Sequence, residues 1–113
     1  MSATGPPDNT AKALSLLGMA RRSGVLLIGQ DQVLAAPRRD LFVLTAADCS
    51  RNVLRKLDGA GGVFHRTLEG VDREELGRSL GLSGVQIAAL PLKSGFAKKL
   101  AELLQQEGLG IDE

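Results

Sequence analysis

A four-stranded sheet held between two layers of helix, the three-layer α/β/α sandwich, is the fold class that the sequence predicts, and three observations predict it. Segments of helical period alternate with short aliphatic runs, five of the first with four of the second. The aliphatic runs are apolar at successive positions, so neither face of such a strand can meet water and helices must cover both. The chain has 113 residues, enough for one core and not for two. Residues 1–9 are expected as a flexible tail, 10–104 as the single α/β/α domain and 105–113 as a frayed end.

Each element has a local reason. Gly5-Pro6-Pro7 and their polar neighbours offer little to bury. Asn9 or Thr10 suits the cap of a first helix, since a short polar side chain accepts from the free N–H groups of the first turn. Leu14, Leu17 and Met19 to Arg21 continue it at helical spacing, Leu16 and Ala20 widen its apolar face, and Ser23-Gly24 closes it. Val25-Leu26-Leu27-Ile28 reads as a strand buried on both faces, ended by Gly29. Asp31 to Ala36 reads as a second helix, closed near Pro37. Leu41-Phe42-Val43-Leu44 is a second buried strand.

Asp48 or Ser50 caps a third helix carrying Val53, Leu54 and Leu57, which Asp58-Gly59-Ala60-Gly61-Gly62 breaks. Val63-Phe64-His65 begins a third strand. Asp72-Arg73-Glu74-Glu75 opens a fourth helix, its acids placed to favour the dipole and Leu76 and Leu80 on its inner face. Val85 to Leu90 forms the fourth strand, and Ser94 caps a last helix with Phe96, Leu100, Leu103 and Leu104 turned inward.

Composition excludes several functions. Fourteen Lys and Arg against thirteen Asp and Glu leave a net charge of +1, so no global cationic field announces a polyanionic partner. The distribution is uneven: Thr10 to Arg66 holds nine basic and four acidic side chains, Thr67 to Glu113 five and eight. With no Trp, no Tyr and three Phe, a nucleic-acid surface built on rows of stacked aromatics is excluded. Cys49 is alone, which rules out an internal disulfide and favours a reducing compartment, and one His with one Cys cannot build a zinc site. Apolar runs of four to six residues fall far short of a membrane span of about 20. The expectation is a cytoplasmic protein with no membrane contact.

Chemistry has few places to sit. Neither G-x-x-x-x-G-K-[ST] nor G-x-G-x-x-G follows the first strand, and Gly59-x-Gly61-Gly62 follows a helix, so no nucleotide cofactor is expected. Cys49 with His65 could form a nucleophile and base, but capping and packing explain them as well, and no enzyme is expected. The turn after the first strand is more informative. Gly29 lets the backbone turn sharply, and Gln30, Asp31 and Gln32 occupy the first turn of the next helix. Free backbone N–H groups there can meet phosphates or base edges, and amide side chains both donate and accept. A polar cap with Asp31 on the dipole explains the same residues without a ligand. Basic pairs gather at helix ends: Arg21-Arg22, Arg38-Arg39, and Arg51 with Arg55-Lys56; two such clusters beside the Gly29 turn would make a positive rim the size of an RNA contact.

Four stretches in order carry a resemblance. Leu17-Gly18-Met19-Ala20-Arg21-Arg22-Ser23-Gly24, Gly29-x-x-Gln32-Val33-Leu34-x-Ala36, Glu75-Leu76-Gly77 and Gly95-Phe96-Ala97-Lys98-Lys99-Leu100 resemble bacterial members of the ribosomal protein "L-seven-Ae" family, small binders of kink-turn RNA. The match runs from about Thr10 to Leu104. It implies an α/β/α sandwich with a mixed four-stranded sheet, and a non-catalytic RNA-binding protein associated with ribosomal RNA, ribosome biogenesis or translation, within a ribonucleoprotein. Ribosomal or translation-related proteins are implied as further partners.

Family members that grip kink-turns use a Gly-x-Asn-Glu-x-x-Lys pattern at the start of the second helix, with an apolar loop before the last strand over a flipped-out nucleotide. Here the glycine is Gly29, and the remaining positions hold Asp31, Gln32 and Ala35; the loop is Leu82-Ser83-Gly84-Val85. Asp31 replaces a donor amide with an acceptor, Gln32 keeps hydrogen bonding without charge, and Ala35 lacks the cation. The expected RNA contacts are therefore Arg21, Arg22, Gly29, Gln30, Asp31, Gln32, Leu82 and Val85. The alternative is a protein-interaction module that keeps the fold and has lost kink-turn recognition. Lys93, Lys98 and Lys99, on or before the last helix, need only face solvent.

Overall fold

A computed structural model describes residues 8–35, 40–58 and 63–104. The elements run α1 (Asp8–Arg22), β1 (Leu27–Ile28), α2 (Gln30–Ala35), β2 (Leu41–Ala46), α3 (Arg51–Asp58), β3 (Val63–Leu68), α4 (Arg73–Ser79), β4 (Ile87–Pro91) and α5 (Gly95–Leu103). The four strands form one sheet in the order β1-β4-β2-β3. β2 and β3 are parallel, Leu41 opposite Val63, whereas β4 runs antiparallel to both β1 and β2. The expected mixed four-stranded sheet between helical layers is what forms. Residues 1–7 of the expected tail, 36–39, the break at 59–62 and the end at 105–113 lie outside the described residues, while Asp8 and Asn9 of that tail already belong to α1.

Strand parity divides the core. Phe42, Leu44 and Ala46 of β2, with Leu90 of β4, point to the face covered by α1, α4 and α5, where they meet Leu17, Leu76 and Leu100. Leu41, Val43, Ile87 and Ala89 point to the other face, under Val33 of α2 and Val53 and Leu57 of α3. This is why β2 reads as an unbroken apolar run: all six residues are buried.

Several boundaries differ from expectation, each for a physical reason. Asn9 and Thr10 lie within α1, which is already helical at Asp8, so neither is its cap. Only Leu27 and Ile28 of the expected first strand pair, and they are half-buried, because β1 is an edge strand with β4 as its one partner. Ser50 caps α3, its Oγ accepting from Val53 N at 3.2 Å, while Asp48 is spent on Arg73. Val85 precedes β4, its N–H donating to Arg73 O at 3.1 Å instead of to the ladder. The cap at Ser94 forms as read, accepting from Ala97 N at 3.1 Å, and of the acids expected to open α4 it is Asp72 that caps it, accepting from Glu75 N at 2.8 Å.

α1 and α4 close in the same way. Val25 N donates to Ala20 O and Gly24 N to Arg21 O, with Gly24 at φ 81°; Leu82 N donates to Gly77 O and Gly81 N to Arg78 O, with Gly81 at φ 76°. These paired bonds satisfy the last carbonyls of each helix and need a left-handed residue where glycine stands. α4 also touches the following loop backbone to backbone: a Cβ at Gly77 would sit 2.7 Å from Gly84 N and 2.9 Å from Gly84 Cα.

Gly77→Ala ought to favour the helix by up to about 1 kcal/mol on propensity alone, but the clash meets backbone, which cannot swing aside. A net loss of about 1–3 kcal/mol is expected, read from the midpoint and slope of chemical denaturation. A variant as stable as the parent would show that the Leu82–Val85 loop yields freely.

Candidate functional site

The end of the sheet where β4 begins gathers the informative residues. Gly29, at φ 90°, turns the chain out of β1 while its N–H donates to Ile87 O at 2.9 Å, the last rung between β1 and β4. Its carbonyl accepts from Val33 N at 3.0 Å as α2 starts. Gln32 folds back one turn, and its Oε1 accepts from Ile28 N at 3.1 Å. The side chain therefore fastens the strand to the helix and keeps its amide NH₂ as a donor. N–H groups at the first positions of a helix have no intrahelical acceptor, and here they belong to Gln30, Asp31 and Gln32. Asp31 and Gln32 are exposed and Gln30 is half-exposed.

Loops from the rest of the sheet brace this corner. Gln86, just before β4, accepts Ser50 N on its Oε1 at 2.7 Å and Ala46 N on its carbonyl at 2.9 Å, tying the start of α3 to the strand that holds Gly29. Arg73 closes a second tie, with its N donating to Asp48 Oδ1 at 2.8 Å and its guanidinium to Asp48 O at 2.9 Å. The Arg73–Asp48 ion pair itself, 3.4 Å long and roughly half exposed on both sides, adds little stability; its value is positional. Gln86 and Arg73 carried no signal of these ties in the sequence, since a lone Gln in a loop and a lone Arg at a helix start match no pattern.

Of the expected contacts, Gly29, Gln30, Asp31 and Gln32 form the corner. Arg21 is exposed and leans on the loop that leads to β4, its Nη1 3.7 Å from where a Cβ at Gly81 would stand. Arg22 is exposed too, but lies back along α1 toward Gly18. Leu82 and Val85 part company: Leu82 is 38% exposed, whereas Val85 is 5% exposed and packs in the core with Leu76 and Leu80. Leu82 is thus the apolar side chain that this loop presents to solvent. Ala35 is exposed at the end of α2.

The alternative chemistry does not assemble. His65 Nε2 is 2.8 Å from Thr45 Oγ1, so the ring satisfies a fully buried hydroxyl on the neighbouring strand. Burial lowers the His65 pKa below the ordinary imidazole value, with Asp58 opposing in part. Cys49 packs against the Val53 and Leu57 side of the core. Burial raises its thiol pKa, Arg73 pulls the other way, Asp48 adds to the rise, and the Ser50 backbone contact lowers it. A thiol kept protonated and not bonded to the histidine is no nucleophile. Among the described residues no group of three His, Cys, Asp or Glu could hold a metal ion, and no helix is long and apolar enough to cross a membrane.

Fold and site together define a class: a mixed-sheet α/β/α domain whose first strand ends in a glycine-turned polar corner, with arginines exposed at the end of its first helix. The chain belongs to the family of ribosomal protein "L-seven-Ae" and YlxQ. It is 28% identical over 104 residues to the "RNA-binding protein YlxQ" of Enterococcus faecium, covering 86% of this chain and 95% of that protein. A solved structure of a Bacillus halodurans protein of unknown function is 30% identical, with a TM-score of 0.67 over 83% of this chain and 97% of that one. The Giardia lamblia 15.5kD RNA binding protein, at 15% identity, shares the fold with a TM-score of 0.62 over 93% of each chain. No family model matches the sequence.

Two outcomes follow from the side chains just described. The neutral His65 ring is the form that folding favours, so its contribution is complete above the unfolded-state value of about 6.5 and is lost as pH falls below it toward the lower folded value. His65→Gln should lose less thermal stability than the parent between about pH 7.5 and pH 5.5; parallel falls would show that the ring titrates alike folded and unfolded. Cys49 should react with iodoacetamide at about pH 7.5 several-fold more slowly than free cysteine, measured by mass spectrometry, and a faster rate would contradict its environment.

Proposed function

We propose that this protein is a non-catalytic RNA-binding protein of the ribosome and translation setting, holding structured RNA at the Gly29–Gln32 corner with Arg21, Arg22 and Leu82 around it. One observation carries the reading. Gly29 is pinned to β4 in a left-handed turn, which leaves the first-turn N–H groups of α2 and the Gln32 amide at an exposed corner. Such donors suit phosphate oxygens and the acceptor edges of purines. The likeness to a YlxQ protein named as RNA-binding, over nearly the whole of both chains, supports it. Exposed Leu82 is suited to lie against an unstacked base, and the guanidinium of Arg21 to meet a phosphate.

The corner is poor in charge. Asp31 and Ala35 stand where kink-turn binders of the family carry an amide and a lysine, so fewer phosphates are neutralised and affinity is modest. The logarithm of the binding constant should then fall with the logarithm of salt by only about 0.7–0.9 for each phosphate contacted.

A titration of a kink-turn RNA and an unstructured RNA of equal length, each at two salt concentrations, tests this. The kink-turn RNA should bind more tightly, and Gln32→Ala, Arg21→Ala and Arg22→Ala together should weaken it by about tenfold or more, with circular dichroism confirming the fold. Binding untouched by all three changes would reject the surface. Protein partners retained after nuclease treatment, in the absence of any RNA binding, would point instead to a protein-interaction module.

A further inference from the structure

A second feature lies on the α2 and α3 side of the sheet. Between α3 and the edge strand β3 is an open cleft of about 580 Å³. Arg51 and Arg55, one helical turn apart, form a cationic lip; both are exposed, and neither makes an ion pair with any described residue. Leu54 and Leu57 give the cleft an apolar wall, and His65 and Thr67 line it from β3. Asp58 closes one end. The volume lies within the range of about 300–1,000 Å³ typical of small-ligand sites.

The Arg51 end of the cleft and the corner lie at the same end of the sheet, linked through β4. Arg51 directly follows Ser50, whose N–H is held by Gln86 Oε1, and Gln86 directly precedes Ile87, which accepts the N–H of Gly29. A chain crossing the end of β4 from Gly29 therefore arrives at the Arg51 end of the lip. We propose that the cleft binds one nucleotide of a single-stranded RNA segment that continues from the RNA held at the corner. Its phosphate lies on Arg51 and Arg55, its base rests on Leu54 and Leu57, and Asp58 accepts from the base. This rests on the corner being an RNA-binding surface.

The chemistry selects this occupant. Guanidinium groups pair with phosphate in forked geometry and also stack on bases. Asp58 would repel the repeated carboxylates of an acidic peptide, whereas a base with an exocyclic amino group offers it a donor. One charged end and one neutral, donor-bearing end match a nucleotide.

The test is NMR on the ¹⁵N-labelled full chain with two probes, a kink-turn hairpin with blunt ends and the same hairpin with a single-stranded overhang of alternating adenosine and cytidine. Amides of Gly29 to Gln32 should shift with both, and those of His65 and Thr67 with the overhang probe alone. Arg51→Ala with Arg55→Ala should weaken the overhang probe about tenfold and leave the blunt one unchanged. Shifts confined to the corner, or equal weakening of both probes, overturn the cleft and leave the corner standing. Shifts at neither place overturn both. Stronger shifts of the cleft amides with an oligoglutamate peptide than with the overhang probe would assign it to an acidic peptide and overturn the nucleotide.

Discussion

The placement of β4 between β1 and β2 is the constraint on which the rest of the structure depends. Ile87 to Leu90 are fully buried and their backbone bonds on both edges, since each unpaired N–H or C=O there would cost free energy comparable to a lost hydrogen bond. Satisfying β4 requires β1 to return beside it antiparallel, in register Leu27 opposite Ala89. That register continues into the Gly29–Ile87 bond, so the turn into α2 is placed by the sheet itself. A functional surface on this corner inherits the rigidity of a strand whose first four residues are fully buried.

Around that strand, close backbone approach substitutes for bulky side chains. Gly77 lets α4 meet Gly84, and Gly81 lets the chain turn back at φ 76° with the Arg21 guanidinium beside it. The loop before β4 is thereby held from below, with Val85 buried and Leu82 left outward. Gln86 and Arg73 then lace it to the start of α3 and the end of β2. The Gln86 ties are neutral hydrogen bonds, which salt screens little, whereas those between Arg73 and Asp48 carry charge and are screened more.

The chemical character of the corner follows from what it lacks. Near-zero net charge gives no long-range attraction, and Asp31 places a negative charge among the first-turn donors. Recognition at such a place depends on directional donors and shape more than on field strength, which suits a folded polyanion better than a featureless one. Where cations without an acidic partner among the described residues do collect is the Arg51–Arg55 lip, on the α2 and α3 side of the sheet.

Local sequence was enough to determine the alternation of helix and strand, the buried run from Leu41 onward, the acid-led start of α4, the cap at Ser94, and the turns at Gly24 and Gly29. Each is set by residues within a few positions of one another, through periodicity, capping or the left-handed freedom of glycine. The candidate corner was legible for the same reason, because Gly29 and the polar turn after it are contiguous. Strand order, the shortness of β1, the separate fates of Leu82 and Val85, the roles of Gln86 and Arg73, and the cleft between α3 and β3 were decided only by tertiary structure. They depend on which segments meet across the sheet, and contacts such as Ser50 with Gln86 or Asp48 with Arg73 join positions 36 and 25 residues apart that share no local pattern.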